Sequence, residues 1–383
     1  MKVTDIVQAL INVSEKGANI ARIIRSESTL LDLLVQEKTG NQKNQRFVQD
    51  FKTLADVLVQ EMVRHDLSIS DSIYGEESNK FTNALGESIV VEILSSKEAT
   101  SQMLSVVLDN NTEAAELLAD VVHKKVHVDV DPDIKELDSL EISVDNVGVW
   151  IDPIDSTAQY IDGSVGECNG QGIVSEGLQC VTVLIGVYSK TTGIPLIGVT
   201  NQPFATYDSD SQSWHGNMSW GVCLNGKKIA SVKSEPTSDN IGNNKSKCLV
   251  TSSSESQEVQ EGLSKHFTIH HSAGAGYKFL CVFDGKAEGY VLSKSSTYKW
   301  DACGPHAILL ASGGGLIYYN RLKELLGHEN DLTDKCLKLQ VRYDQSDSSS
   351  SSGAEKWCNK GGIIAYRSNK ALIEILKCLQ EYH

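Results

Sequence analysis

Residues 149–163 read VWIDPIDSTAQYIDG, and this stretch decides how the rest of the chain is interpreted. An apolar strand predicted over Val147–Ile151 is followed by two carboxylates, Asp152 and Asp155. Pro153 restricts the backbone and is expected to end the strand. Both carboxylates are therefore predicted to converge at the carboxyl end of one strand.

The residues around these carboxylates offer groups for both a metal and a phosphate. Ser156 and Thr157 are expected to begin a helix, whose first backbone amides can hold phosphate. Carboxylates together with the carbonyl oxygen of Ile154 form a set of hard oxygen ligands that suits Mg²⁺ better than zinc. Taken alone, the pattern D-x-x-D-S-T is equally typical of an Asx turn with a helix cap.

Three further acidic motifs bear on the choice between a metal site and a helix cap. Glu76 and Glu77 follow a short predicted strand in IYGEES, Asp56 lies on a predicted helix in KTLADVLVQ, and Asp301 begins a predicted helix in KWDACGPHAILLASGGG. Each has an ordinary alternative: a solvated glutamate pair, a solvent-facing acid and a helix cap. Together the four motifs favour a metal site.

The apolar pattern along the chain predicts an α/β fold with mixed sheets. Residues 1–125 are predicted to be mainly helical, beginning with an amphipathic helix. Two apolar runs flank a turn at residues 191–193 and predict a pair of antiparallel strands. Later strands alternate with helices, and they are predicted over 248–251, 289–292 and 362–366, with a last helix over 370–382.

Composition limits the classes of partner. The formal net charge of −15 argues against a nucleic-acid-binding surface, and no apolar run approaches the roughly 20 residues that cross a bilayer. A chain with this net charge repels phosphate, so a phosphate substrate would need local cations, and bound divalent metal is the economical way to supply them. Nine cysteines without C-x-x-C pairs predict reduced thiols and a cytoplasmic location.

Two polar segments are predicted to lie at the surface. The acidic segment 127–146 is interpreted as a solvated insertion, with a partner site as the alternative. The serine-rich segment 346–353 is interpreted as a flexible loop.

Five ordered blocks carry a resemblance to a known family. They read FVQDFKTLADVLVQ, IYGEESNKFTNALGESI, VWIDPIDSTAQYIDG, SAGAGYKFLCVF and KWDACGPHAILLASGGG. The chain resembles the Mg²⁺-dependent, lithium-sensitive phosphatases, a family that includes inositol monophosphatases, bisphosphate nucleotidases and fructose bisphosphatases. The DSTAQYI continuation is most similar to the branch that acts on inositol polyphosphates.

The resemblance implies a role for each matched position. The positions matching the family's metal site, expected to hold two or more Mg²⁺ ions, are Asp56, Glu76, Glu77 (as an outer ligand), Asp152, the Ile154 carbonyl, Asp155 and Asp301. Asp56 and Thr157 match a pair that orients and helps to deprotonate the attacking water, and Glu76 is also assigned a catalytic role.

Substrate contacts are implied at Asp155, Ser156, Thr157, Ser252, Ser272, Gly274, Ala275 and Lys278. Lys278 would supply a positive charge for a second phosphate, although residues 272–278 could instead form a simple turn with Lys278 on a helix surface. Ser254 stands where relatives can carry a larger polar or basic residue, so the subsite for the second phosphate is expected to differ.

The resemblance also implies the fold and the reaction. The expected fold is a layered αβαβα arrangement, with an α+β lobe over 1–200, an α/β lobe over 201–383 and a boundary near 195–205. The expected reaction is hydrolysis of the 1-phosphate of inositol 1,4-bisphosphate and inositol 1,3,4-trisphosphate by water, inhibited by lithium. The alternatives are a 3′(2′),5′-bisphosphate nucleotidase and a noncatalytic inositol-phosphate-binding protein; neither nucleic acid nor membrane is an expected partner.

Overall fold

Helices and sheets alternate in layers along the fold, which was obtained as a computed structural model. The structure describes residues 1–26, 31, 34–39, 50–67, 69–70, 72–129, 132–232, 247–324, 338–346 and 353–380.

The first part of the chain carries four of the helices named here and five short strands. In order they are α1 (Val3–Ser26), β1 (Val35–Glu37), β2 (Phe51–Thr53), α2 (Leu54–Asp66), β3 (Ile73–Gly75), β4 (Lys80–Thr82), β5 (Ser88–Val90), α3 (Lys97–Val107) and α4 (Thr112–His123). The predicted helical character of residues 1–125 is confirmed, and the apolar face of α1 is buried.

The rest of the chain contains longer strands and the helices that pack on them. In order they are β6 (Val147–Asp155), α5 (Thr157–Asp162), β7 (Thr182–Ser189), β8 (Pro195–Asp208), β9 (Ser213–Leu224), β10 (Lys227–Ala230), β11 (Cys248–Thr251), α6 (Gln257–Ser264), β12 (Thr268–His271), α7 (Ala275–Phe283), β13 (Gly289–Leu292), α8 (Lys299–Ala311), β14 (Gly315–Tyr318), β15 (Ile363–Tyr366) and α9 (Asn369–Gln380). The strands predicted over 248–251, 289–292 and 362–366 are confirmed to within one residue.

Two mixed sheets form the framework. The six-stranded sheet has the order β10-β9-β8-β7-β6-β3, and all its pairs are antiparallel except β3 with β6. The five-stranded sheet has the order β12-β11-β13-β15-β14, with β11 parallel to both of its neighbours. The predicted antiparallel pair around residues 191–193 is confirmed as β7 and β8.

Helices cover both sheets and fill the space between them. α1 and α2 pack on one face of the six-stranded sheet, and α8 packs across its other face. α7 and α8 also contact the five-stranded sheet, whose far side is covered by α6 and α9. The layers therefore follow the predicted αβαβα order.

Strand β6 differs from its prediction at Pro153. The strand does not end there but continues to Asp155, with a shift in its pairing to β7 between Asp152 and Asp155. Such a bulge accommodates a residue that cannot donate to the ladder and redirects the side chains around it. The prediction that Pro153 ends the strand is therefore wrong, although both carboxylates still lie at the strand's carboxyl end.

The change from one sheet to the other comes later than the predicted lobe boundary. Residue 200 lies inside β8, which pairs along its length with β7 and β9. The six-stranded sheet ends at Ala230 and the five-stranded sheet begins at Cys248. The sheets thus divide the chain between these residues, while the two-lobe organisation itself stays a prediction.

Surface features agree with the sequence where they are described. In the described part of segment 127–146 the carboxylates are exposed, as predicted, whereas Ile134, Leu137 and Ile142 are buried against the core; that the segment is an insertion stays a prediction. Residues 347–352 of the serine-rich segment lie outside the described residues. Eight of the nine cysteines are described, and the free thiols among them include Cys168, Cys180, Cys223, Cys248, Cys281 and Cys303. Within the described ranges, no helix is long and apolar enough to cross a membrane.

Three glycines set the distance between α8 and the six-stranded sheet. A Cβ atom at Gly198 of β8 would lie 2.0 Å from the Gly304 carbonyl oxygen, and one at Gly186 of β7 would lie 2.3 Å from the Gly304 nitrogen. Backbone therefore packs on backbone at this crossing, which leaves no room for a side chain. The position of α8, and of Asp301 in its first turn, depends on this contact.

We expect Gly198→Ala to lower the free energy of unfolding by about 1–3 kcal/mol, because the added methyl group forces α8 away from the sheet. Urea unfolding followed by circular dichroism measures the change. Gly170→Ala is the matched control, since a Cβ there meets nothing within 4 Å. Equal stability of the two variants would contradict the packing described for α8.

His306 of α8 anchors the other side of the helix in a buried polar cluster. Its Nε2 lies 2.7 Å from Gln340 Oε1, and its Nδ1 lies 3.1 Å from the Tyr343 hydroxyl. A neutral ring satisfies both contacts, with one nitrogen donating and the other accepting. Burial, aided by the charge of Lys299, lowers the pKa of His306 to about 3.

This lowered pKa predicts loss of stability in acid. Below its ordinary pKa of about 6.5 the unfolded chain binds a proton at His306 that the folded protein does not, so stability falls as the pH drops from 6.5. Between pH 7 and pH 5, the wild type should lose about 2 kcal/mol more than His306→Gln, which has no titrating ring. Unfolding at both pH values tests this, and parallel losses would show that His306 does not carry the effect.

Candidate metal and phosphate site

The ends of several elements meet at one cavity between the layers. Its volume is about 740 Å³, and its wall includes the carboxyl end of β6, the start of α5, the turn before α7 and the first turn of α8. Of the residues predicted for the site, those that line the cavity are Glu76, Asp152, Ile154, Asp155, Ser156, Thr157, Ser252, Ser254, Ser272, Gly274, Ala275, Lys278 and Asp301. Asp56 and Glu77 are buried next to this wall.

Three aspartates form the acidic centre of the cavity. Asp152, Asp155 and Asp301 each offer a carboxylate oxygen, and these oxygens lie within 4.8 Å of one another. All three side chains are buried. Asp301 also accepts a hydrogen bond from the Tyr298 amide at 2.8 Å, so helix capping and membership of the cluster hold for the same residue.

The electrostatics of this centre call for a cation. Burial and the neighbouring carboxylates raise the pKa of Asp152 and Asp301 well above the ordinary range, and burial raises that of Asp155. Within the described residues, Asp152 Oδ1 has no hydrogen-bond partner although it is buried. An oxygen-preferring divalent ion would satisfy that atom and offset the repulsion, so these residues fit Mg²⁺.

Glu76 and Glu77 are held beside the aspartates by Gln60 of α2. The Gln60 side chain donates to the Glu77 carbonyl oxygen at 2.7 Å and accepts from the Glu77 amide at 2.9 Å. Burial raises the pKa of Glu77 to about 8, although Lys38 opposes the shift. The solvated-pair alternative is therefore wrong for Glu77, and Glu76 faces the cavity.

Lys38 is a part of the site that the sequence analysis missed. Its ammonium lies 2.6 Å from Glu76 Oε1 and 2.5 Å from Glu77 Oε1, in a nearly solvent-free position. Burial alone would lower its pKa, but the surrounding carboxylates raise the pKa well above the ordinary value. The pairing of β1 with β2 brings Lys38 to these glutamates, and no local sequence pattern announces that approach.

Asp56 and Thr157 are brought together from distant parts of the chain. The Thr157 hydroxyl lies 3.3 Å from Asp56 Oδ1 and 3.1 Å from the Ile154 carbonyl oxygen. The other carboxylate oxygen of Asp56 accepts from the amide and hydroxyl of Thr53, which completes a capping box at the start of α2. Burial raises the pKa of Asp56 to about 6, and the solvent-facing alternative for this residue is wrong.

The turn before α7 is tied directly to Asp155. The amides of Gly276 and Ala275 donate to the Asp155 carboxylate at 2.8 and 3.2 Å. Gly274 has a φ of +69°, and a Cβ there would lie 2.6 Å from the Cys180 carbonyl oxygen. Ser272 donates to the Val174 carbonyl oxygen at 2.6 Å. The turn therefore packs closely against the protein's own backbone and against Asp155.

The position of Lys278 matches neither of its two predictions completely. The side chain is buried, so the alternative that places it on an exposed helix surface is wrong. Its ammonium lines the cavity but donates to the carbonyl oxygens of Ser272 and Gly274, at 2.9 and 2.6 Å. It therefore holds the turn in shape and has limited capacity left for a phosphate.

Ser156 connects the three-aspartate centre to the short helix α5. Its backbone is left-handed, with a φ of +73°, and its hydroxyl makes no capping bond. The helix-cap alternative for this serine is therefore wrong, and the residue lines the cavity. On the opposite wall, the hydroxyls of Ser252 and Ser254 lie 2.9 Å apart.

Comparison with known proteins places the chain in a family. The model of the inositol monophosphatase family matches residues 7–337. Inositol polyphosphate 1-phosphatase of Mus musculus is 45% identical over 392 residues, which cover 98% of this chain and 97% of that protein. 3′(2′),5′-bisphosphate nucleotidase 1 of Dictyostelium discoideum is 32% identical over 182 residues, which cover 46% of this chain and 53% of that protein.

A solved structure supports the fold independently. The extragenic suppressor protein suhB from Bartonella henselae is similar at a TM-score of 0.50 and 11% identity, over 98% of this chain and 99% of that one. At that identity the likeness concerns the fold alone. The family match over most of the chain, together with the near full-length relative, shows that the chain belongs to the inositol monophosphatase family.

Proposed function

We propose that this phosphatase removes the 1-phosphate of inositol 1,4-bisphosphate and inositol 1,3,4-trisphosphate with the aid of Mg²⁺, in the cytoplasm, and that lithium inhibits it. The observation that carries the proposal is the buried trio Asp152, Asp155 and Asp301 beside the Asp56–Thr157 pair. The inositol substrate is favoured because the relative named for it matches nearly the whole chain, whereas the nucleotidase match covers less than half.

The metal would be held by oxygen atoms already gathered in the cavity. Glu76, Asp152, Asp155 and Asp301 supply carboxylates, and the Ile154 carbonyl lies on the same wall. Glu77, behind Glu76 and paired with Lys38, is suited to an outer position. When bound, Mg²⁺ would neutralise phosphate charge, lower the pKa of water and stabilise the departing inositol oxygen.

Thr157 and Asp56 are the groups suited to moving a proton. The Thr157 hydroxyl faces the cavity and can accept a hydrogen bond from the attacking water while it donates to Asp56. A pKa of about 6 lets Asp56 take up the proton that the water loses. The bond from water oxygen to phosphorus forms as the ester bond to the inositol oxygen breaks, without a phosphoenzyme.

The remaining residues position the phosphate ester. Ser156 and Thr157 present the start of α5 to the cavity, where the ester's scissile phosphate would lie next to the aspartates. Ser252, Ser272, Gly274 and Ala275 contribute to the wall that would face the ring. Asp155 would serve both the metal site and the substrate site, because its carboxylate also accepts hydrogen bonds from the amides of the turn before α7.

The first test compares phosphate release from inositol 1,4-bisphosphate and from 3′-phosphoadenosine 5′-phosphate, with Mg²⁺ or EDTA. Turnover should prefer the inositol substrate, require Mg²⁺ and fall in millimolar lithium. Asp56→Asn should lower turnover by about 100-fold or more, because the proton acceptor is lost while one oxygen remains for the Thr53 cap. Asp120→Asn, at an exposed position on α4, is the matched control.

Each contrary result has a defined meaning. Preference for the nucleotide would favour the alternative function, a bisphosphate nucleotidase. Turnover that is unchanged by lithium would contradict the proposed inhibition. No release from either substrate, with tight binding of the inositol phosphate, would favour a noncatalytic binding protein.

A second test measures the metal site without relying on activity. Saturation with Mg²⁺ at about 100 times its dissociation constant should stabilise the wild type by about 2.7 kcal/mol. Asp152→Asn should unfold at a higher temperature than wild type in EDTA, since it removes a carboxyl group whose ionised form is disfavoured by burial and by the neighbouring carboxylates, and should lose most of the Mg²⁺ effect.

Scanning calorimetry with and without Mg²⁺ measures both differences. Asp210→Asn is the control, because it makes the same change of charge at an exposed loop. An undiminished Mg²⁺ effect in Asp152→Asn would place the ion elsewhere.

A further inference from the structure

The cavity has a second end that differs in chemistry from its acidic centre. Two short loops build this end: Ser252–Ser254, which follows β11, and residues 294–296, which follow β13. The wall here carries serine hydroxyls and one lysine, Lys294, in place of carboxylates. A phosphate bound at this end would meet hydrogen-bond donors and a positive charge.

Lys294 is the lysine whose charge is open to a ligand. Among the described residues that line the cavity the lysines are Lys278 and Lys294. Lys278 is buried and donates to two backbone carbonyls, whereas Lys294 is exposed and donates to the carbonyl oxygen of Ser254. An ammonium has three N–H donors, so Lys294 keeps donors for an anion.

A buried carboxylate fixes the position of both loops. Glu255 is 6% exposed, and its carboxylate accepts from the amide of Ser256 at 2.7 Å and from the amide of Ser293 at 2.7 Å. The Ser293 hydroxyl donates to it as well. Because Ser256 lies just after the first loop and Ser293 just before the second, Glu255 links the two loops and fixes the backbone next to Lys294.

The hydroxyls of this end complete a set of donors. Ser252 Oγ and Ser254 Oγ lie 2.9 Å apart and both residues line the cavity. Each hydroxyl can rotate to donate to an anion in place of its neighbour. In a chain with a net charge of −15, such a local concentration of donors around a lysine is needed to hold a phosphate away from the metal centre.

We propose that Lys294 is the cation that recognises the phosphate of the substrate that is not hydrolysed, and so determines specificity for a second phosphate, with Glu255 as its positioning residue. This inference rests on the proposed function, since it concerns the same substrate. It assigns the cation of the subsite to the loop after β13, at a position with no counterpart among the residues matched to the family's motifs.

The test compares kcat/KM for inositol 1,4-bisphosphate with kcat/KM for inositol 1-phosphate, which carries the scissile phosphate alone. Lys294→Met keeps the length of the side chain but removes its charge, and should lower the ratio of the two values about tenfold, mainly through KM for the bisphosphate. Lys294→Arg should retain most of the ratio. Lys228→Met, on an exposed position of β10, is the matched control and should leave the ratio unchanged.

Glu255 is tested by the same ratio. Glu255→Gln should lower it by a smaller factor, and the effect should largely disappear in a background of Lys294→Met, because the positioning residue acts through the lysine. Adding Ser254→Lys to Lys294→Met should recover part of the ratio, since residue 254 contacts the Lys294 ammonium in the wild type.

The outcomes separate this inference from the proposed function. A ratio within twofold of wild type in Lys294→Met, with turnover of both inositol esters intact, would overturn the subsite and leave the proposed function standing. An equal loss on both substrates would also overturn it, because the lysine would then act on the shared phosphate. Absence of turnover of either ester by the wild type would overturn both proposals.

Discussion

Mutual repulsion among buried carboxylates is the constraint on which the rest of the site depends. Asp152, Asp155 and Asp301 come from two elements separated by about 150 residues of sequence, and each is kept from water. Burial and the neighbouring carboxylates raise the pKa values of Asp152 and Asp301, and burial raises that of Asp155. The glycine contact between α8 and the sheet, and the amides that hold Asp155, keep these groups together against it.

Lys38 offsets part of this repulsion with its positive charge. Its ammonium bridges Glu76 and Glu77, so one edge of the acidic centre is neutralised by the protein itself. The inner edge, formed by the three aspartates, has no such cation among the described residues within hydrogen-bond reach of Asp152 Oδ1. A divalent ion is therefore favoured at the inner edge, where the phosphate of a substrate would also approach.

Much of the fold was readable from the sequence because its signals are local. The helix α1, the β7–β8 pair and the strands β11, β13 and β15 follow from apolar periodicity and turn residues. The predicted end of β6 at Pro153 was wrong because a proline shows only that one ladder hydrogen bond is missing. It does not show that a bulge lets the strand continue. Lys38, Glu255 and Lys294 contact partners in other segments, and such contacts leave no period in the sequence.

Asp56 and Asp301 each combine the start of a helix with a place in the candidate site. In both, one oxygen accepts the backbone amide three residues earlier and starts a helix. An inactive descendant of this protein would therefore keep both aspartates simply to remain folded. Asp152 and Glu76 carry no such duty, so their loss in a related sequence is expected to accompany loss of the proposed metal site rather than loss of the fold.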